Sequence, residues 1–208
     1  MSENNLQSQL TEVYNDLQSS LNGSASEAYN QRRITAIDSF KKLGFPTTKH
    51  EEWKYSNVKN LVKGSYNFKA QKSLQKEDFK SLEIPDLEGI VLYFVNGYFQ
   101  EELSDLSLAK GKISVQTFQE AEADNSELLN EHFSKYSKDS EEAFTALNTA
   151  LANKGVVVNV EANATIEYPV ILRMITDVTQ ENVGSNIRNL VVVGENAEVK
   201  IAVNSDLF

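Results

Sequence analysis

Two stretches of the sequence decide how the fold is interpreted: VVVNVEANATI at residues 156–166 and NLVVVGENAEV at residues 189–199. They align without gaps at an offset of 33 residues, and each contains an apolar run, an Asn-Ala pair and a second short run. A strand, a tight turn and another strand that recur at a fixed period are typical of stacked β-solenoid coils. Two copies also fit an ordinary antiparallel sandwich, so the repeat alone leaves both alternatives open.

The end of the chain follows directly on the second copy. The apolar segment 199–203 leads to Phe208, and no third clear repeat or capping segment comes after it. A solenoid coil cannot bury its inner face alone, and about three coils with a cap are needed. We therefore expect the sequence to break off within an incomplete second domain.

Upstream of the repeat, residues 90–99 predict a β-hairpin. Two apolar segments, 90–95 and 98–99, flank Asn96-Gly97, and this pair suits the positive φ angles of a type I′ turn. A strand near residues 113–118 is expected to join this hairpin.

The N-terminal part predicts helices. An apolar stripe over residues 6–21 has helical spacing, and a second helix is expected to end at Gly44, before Pro46. The pairs Ser24/Glu27 and Thr48/Glu51 fit the capping box, and further helices are expected near residues 128–136 and 144–151. The predicted fold is an α+β N-terminal domain over residues 1–152, with helices and a small β-hairpin or sheet. The first coils of a right-handed parallel β-helix would then occupy residues 153–208.

Composition excludes several classes of function. The formal charge of −10 is unfavourable for nucleic acid binding. The positive charge is concentrated in residues 31–80, which hold twelve Lys/Arg and five Asp/Glu. The lack of cysteine excludes disulfides and thiolate ligands, and no apolar run is long enough to span a membrane. Because the N-terminus has no export-signal pattern, a cytoplasmic location is expected.

Motifs for catalysis or metal binding are sparse. The segment His50-Glu51-Glu52-Trp53-Lys54 begins like a zinc-protease motif, but lysine stands where the second histidine is needed. Neither a nucleotide-binding glycine loop nor a nucleophile elbow occurs. We therefore assign no catalytic, cofactor-binding or metal-binding residue, and we expect no enzymatic activity.

The segment LGFPTTKHEEWKYS at residues 43–56 closely resembles a signature near the start of SufD proteins, a family of iron–sulfur cluster assembly proteins. The resemblance continues through residues 93–105, 144–155 and 167–170, spans nearly all of the chain, and is weakest before residue 25. The corresponding region of the related SufB proteins does not resemble this segment. The family-signature residues, interpreted as structural or partner-facing, are Gly44, Pro46, Lys49, Glu51, Trp53, Lys54 and Tyr55.

The resemblance implies a helical N-terminal domain followed by a right-handed parallel β-helix. It also implies a scaffold role in the SufBCD complex, beside a SufB-like paralogue and a SufC-like ABC ATPase. An iron–sulfur cluster is implied for the whole complex, and no cluster-binding residue is expected within positions 1–208.

Two other functions fit the residues. A free-standing β-solenoid enzyme, glycan-active or acyl-transferring, would use carboxylates such as Glu161, Glu167, Asp177 and Glu195. Alternatively, residues 31–80 would form a basic adaptor surface for an acidic protein, with Arg32, Arg33 and Lys42 as contact residues.

Overall fold

The computed structural model describes residues 6–21, 27–71, 74–75, 77–78, 87–124, 126–180 and 182–208. These residues form six α-helices and seven β-strands in two sheets, which confirms the predicted α+β class. The helices are α1 (Leu6–Leu21), α2 (Glu27–Leu43), α3 (Lys59–Lys63), α4 (Phe118–Ala123), α5 (Glu127–His132) and α6 (Ala143–Ala150). The strands are β1 (Ile90–Val95), β2 (Tyr98–Phe99), β3 (Ile113–Thr117), β4 (Val156–Val160), β5 (Val170–Thr176), β6 (Leu190–Val193) and β7 (Ile201–Leu207).

Helices α1, α2 and α6 share one apolar core. Leu10 and Tyr14 of α1, Phe40 of α2 and Leu147 of α6 are buried in the same cluster. The apolar stripe predicted for residues 6–21 is therefore confirmed as the face that α1 buries. The predicted capping residue Ser24 lies outside the described residues.

The two sheets have the strand orders β2-β1-β5-β7 and β3-β4-β6. Strands β1, β5 and β7 run parallel to one another, as do β4 and β6. Side chains of β1, β4 and β5 are buried in one apolar cluster that joins the sheets. Both sheets combine strands from before and after residue 152, and the predicted domain division there stays a prediction.

The 33-residue repeat is confirmed by the strand register. Val157 of β4 pairs with Leu190 of β6, and Val160 pairs with Val193. The isolated parallel bridge between Thr165 and Glu198 keeps the same offset. The offset then shortens to 31 residues where β5 meets β7, as in the pairing of Val170 with Ile201. The two sequence copies therefore lie directly beside each other as parallel neighbours.

The turns of the two copies also stack. Asn163 and Asn196 have φ angles of 59° and 58°, values that asparagine tolerates better than most residues. The Asn163 N–H donates to the Glu195 carbonyl at 2.8 Å, and the Asn196 amide donates to Asn163 Oδ1 at 3.4 Å. Asparagine at both turns therefore provides the left-handed conformation and a side-chain contact between copies.

The predicted hairpin is confirmed. Strands β1 and β2 pair antiparallel, and Asn96 and Gly97 both have positive φ, at 51° and 87°. The Asn96 side chain is buried, and its Oδ1 accepts the backbone N–H of Asp177 at 2.9 Å. This turn therefore also anchors the chain where β5 ends.

Three local predictions were wrong. Strand β3 pairs with β4 rather than with the hairpin, because two 3₁₀ turns carry the chain to the other sheet. The helix predicted to reach Tyr136 ends at His132, since Ser134 has a φ of 59° and its hydroxyl donates to Asp139. The Thr48/Glu51 capping box does not form: a 3₁₀ turn at Glu51–Trp53 begins after His50, without a side-chain cap.

Replacing Gly155 by alanine should lower the free energy of unfolding by about 2 kcal/mol or more. Gly155 precedes β4 with a φ of 114°, and an added Cβ would lie 1.9 Å from the Arg188 carbonyl oxygen. Gly111→Ala is the matched control, because Gly111 also has a positive φ of 77° but no atom within 4 Å of the added Cβ. The control should cost only about 1 kcal/mol in urea unfolding. Equal losses for the two variants would contradict the close packing at Gly155.

Candidate functional site

The signature segment begins where α2 ends. Gly44, with a φ of 66°, donates its N–H to the Phe40 carbonyl at 2.8 Å and stops the helix. Pro46 is buried, and the Phe45 ring lies 5.1 Å from Phe40 and 5.8 Å from Phe144 of α6. The first residues of the segment are therefore part of the helical core.

The later part of the segment returns to the same helix. The 3₁₀ turn at Glu51–Trp53 places the Trp53 ring 5.3 Å from Phe144. Phe144 therefore contacts aromatic residues from both ends of the segment. Ring pairs at such distances add stabilisation beyond the area that they bury, so this contact holds the connection rigidly against α6.

The remaining signature side chains face solvent. Tyr55 is 92% exposed, and the Lys54 ammonium lies 5.6 Å from its ring and 4.0 Å from the Glu51 carboxylate. Lys49 is exposed as well. Such surface contacts contribute little to stability. Pro46 and Trp53 thus pack against the protein and Gly44 ends α2, whereas Lys49, Glu51, Lys54 and Tyr55 are exposed.

A groove of about 420 Å³ lies beside the segment. Phe45, Tyr66, Phe68 and Phe144 contribute aromatic side chains, and none of the described residues that line it is charged. The Gln9 side chain holds the edge by accepting from the Tyr66 N–H at 2.8 Å and donating to the Gly64 carbonyl at 3.2 Å. The groove can hold an apolar group but offers no acid–base residue.

Sequence reasoning missed a buried ion pair between α2 and α4. Arg33 has no exposed side-chain surface, and its Nη1 lies 3.9 Å from Glu122 Oε1. The Arg33 Nε donates to the Ala150 carbonyl at 3.1 Å. Burial raises the pKa of Glu122 against the opposing effect of Arg33, and burial lowers the pKa of Arg33. The pair therefore links three helices at a considerable desolvation cost.

The burial of Arg33 shows that the predicted basic adaptor surface is wrong at this residue. Arg33 cannot contact a partner, and the Arg32 Nη1 donates to the Phe133 carbonyl at 2.7 Å. Lys42 is exposed, as predicted for a contact residue. Helical spacing did carry a signal for this burial, because Arg33 lies on the same face of α2 as Ala36, Ile37 and Phe40.

The histidines lie in separate places. His50 is exposed, and its Nδ1 accepts the Thr47 backbone N–H at 3.0 Å. His132 is half-buried, with its Nδ1 2.8 Å from the Tyr136 hydroxyl. Within the described ranges, no three His, Asp or Glu side chains group together as metal ligands would.

The carboxylates considered for an enzyme occupy different settings. Asp177 is fully buried at the end of β5 and accepts hydrogen bonds from the side chains of Thr179 and Gln180 at 2.6 and 3.0 Å. Glu161 follows β4 on the other sheet and is exposed. Glu167 pairs with Lys110 at 3.3 Å. Asp177 thus has the contacts of a turn-stabilising residue.

Among the described helices, none has the length and apolar character required to cross a membrane.

Comparisons with known proteins agree on one family. A family model described as the SufBD protein N-terminal region matches residues 4–172. An iron–sulfur cluster assembly SufBD family protein of Synechocystis is 28% identical over 185 residues, which cover 89% of this chain and 41% of the relative. The iron–sulfur cluster assembly protein SufB of Bacillus subtilis is 29% identical over 130 residues, covering 60% of this chain and 27% of the relative. The chain thus spans less than half the length of these relatives.

Removal of the two signature aromatics should affect stability to very different extents. Trp53→Ala should lower the free energy of unfolding by about 2 kcal/mol, because it removes the half-buried contact with Phe144. Tyr55→Ala, the matched aromatic deletion on the exposed side, should change it by less than about 0.5 kcal/mol. Chemical denaturation followed by far-ultraviolet circular dichroism measures both free energies, since this signal does not require the tryptophan. A Tyr55 variant as unstable as the Trp53 variant would contradict the division of the segment into a structural and an exposed part.

Proposed function

Because this chain belongs to the SufBD family, we propose that it is part of a SufD-type scaffold subunit for iron–sulfur cluster assembly. The observation that carries this proposal is the family-model match over residues 4–172. The signature segment at residues 43–56 supports the SufD type. The SufB relative is similar over a shorter part of the chain than the Synechocystis SufBD protein.

The proposed fold beyond the α+β class is a parallel β-helix that starts at β4. Its support is the parallel pairing of β4 with β6 and of β5 with β7, together with the stacked turns at Asn163 and Asn196. Antiparallel neighbours would instead be expected in a sandwich. The residues of β6 and β7 are more exposed than those of β4 and β5, as in Val203, which is 62% exposed.

The proposed partners are a SufB-like paralogue and a SufC-like ABC ATPase, in the cytoplasm. In this arrangement the ATPase hydrolyses nucleotide, and this subunit acts as a non-enzymatic scaffold. The exposed signature residues Lys54 and Tyr55 are the proposed contact from this chain to another subunit. A free-standing enzyme is less well supported, because Asp177 is engaged in turn hydrogen bonds and Glu167 in an ion pair.

Co-purification tests this function directly. The product of the complete reading frame that contains this chain is co-expressed with the SufB-like and SufC-like proteins of the same organism. Native mass spectrometry should then detect one complex containing all three. Recovery of this protein only by itself, with the other two forming a complex without it, would overturn the proposal.

The double variant Lys54→Ala, Tyr55→Ala should reduce recovery of the complex by about tenfold or more, because tyrosine is enriched among the residues that dominate binding at interfaces. Lys135→Ala, Tyr136→Ala is the matched control, since Lys135 lies 5.7 Å from the Tyr136 ring and Tyr136 is 71% exposed. Equal recovery with the two double variants would contradict the proposed contact. It would not decide the scaffold function, which the co-purification experiment tests.

A further inference from the structure

A second cavity, of about 300 Å³, lies where the loop after α5 meets the residues that lead into β6. Its lining is mixed, with an arginine, a histidine, hydroxyl groups and one amide beside apolar side chains. This volume is at the lower end of the range for small-molecule sites. Neither the signature segment nor the first groove contributes to it.

Arg188 is the charged group of this cavity. Its guanidinium lies 5.8 Å from the centre of the Phe133 ring, and its Nη1 donates to Asn148 Oδ1 at 3.0 Å. Among the described residues, no acceptor is hydrogen-bonded to its Nε or Nη2. A guanidinium presents its donors in a planar fork that matches two oxygens of a carboxylate or phosphate. Arg188 is thus held in place on one edge and free on the other.

The nearby carboxylate of Asp139 balances this charge only in part. Burial lowers the pKa of Arg188, and Asp139 raises it, but these two groups do not form an ion pair within 4.0 Å in the described chain. The Asp139 oxygens instead accept hydrogen bonds from the hydroxyls of Ser134 and Thr149. Glu131 lies 3.9 Å from Lys135 and 3.8 Å from His132. The charge of Asp139 acts on Arg188 from a distance, and its oxygens are engaged by hydroxyls instead of by the guanidinium.

Other donors face the same cavity. The Asn189 Oδ1 accepts the Val156 N–H at 3.1 Å, so its NH₂ group remains for another acceptor. The Ser137 hydroxyl makes two long contacts with Ser134, at 3.4 Å to its carbonyl oxygen and at 3.5 Å to its hydroxyl oxygen. Leu190 and Val191 supply an apolar wall.

We propose that this cavity is a binding site for a small organic anion. Its carboxylate or phosphate group would bind to the free edge of Arg188 and to the Asn189 amide, and its apolar body would pack on Leu190 and Val191. This inference is independent of the proposed scaffold function.

Three probes with the same ring separate the possible chemistries: benzoate, phenyl phosphate and the neutral benzyl alcohol. The ¹⁵N-labelled chain is titrated with each at constant ionic strength, and amide chemical shifts are followed. At least one anion should cause saturable shifts confined to residues 132–137 and 188–191. The anion that binds more tightly identifies whether the site prefers a carboxylate or a phosphate group. Equal binding of benzyl alcohol, or unsaturable shifts spread over the lysines of residues 41–63, would overturn the proposal.

Two variants assign the site. Arg188→Gln should weaken binding of the preferred anion by about tenfold or more, since hydrogen bonds to a charged group are lost. Ser137→Asp should have a similar effect through repulsion without removing the Asn148 contact, which keeps the test valid if Arg188→Gln does not fold. Ser140→Asp is the matched control, because Ser140 is exposed and does not line the cavity. Unchanged affinity in Ser137→Asp, or an equal loss in Ser140→Asp, would contradict the site.

Discussion

Backbone hydrogen bonding between two copies of one sequence, 33 residues apart, is the interaction on which the β-rich part of this protein depends. The hydrogen bonds between parallel strands join residues that are distant in the chain. Each copy is therefore stabilised by the other. Strand β5 pairs with β7 in the same parallel arrangement, and β1 pairs along its whole length with β5. The shared apolar cluster and the packing of Gly155 against Arg188 both involve strands of this arrangement or the residues next to them.

Local features were predictable from the sequence where local chemistry decides them. The stripe of α1, the Asn96-Gly97 turn and the stop at Gly44 each depend on a few neighbouring residues. The 33-residue register was also predictable, because two similar segments stack in register. The partner of β3 was not, since the apolar pattern of a strand specifies which face is buried and not which strand lies beside it. The burial of Arg33 depends on Glu122 and Ala150, which are distant in sequence.

The candidate sites, like the fold, were only partly predictable from the sequence. The signature segment could be identified by its spacing, yet only the structure separates its core residues from the exposed Lys54 and Tyr55. Phe144, which both ends of the segment contact, gave no sign of this role in the sequence. The Arg188 cavity combines residues 132–137 with residues 188–191, and only the path of the chain brings them together. Surfaces and cavities of this kind are where sequence patterns are least informative.

Hydrogen exchange of the turn amides tests the stacked-coil arrangement most directly. The N–H groups of Asn163, Gly194 and Glu198 donate across the two copies at 2.8 to 2.9 Å, although Asn163 and Glu198 lie on exposed turns. Their exchange should be slower than in an unstructured chain by about two orders of magnitude or more, and it should slow together with the amides of β4 and β5. Turn amides that exchange as fast as an unstructured chain, beside protected strands, would indicate antiparallel hairpins and contradict the stacked copies.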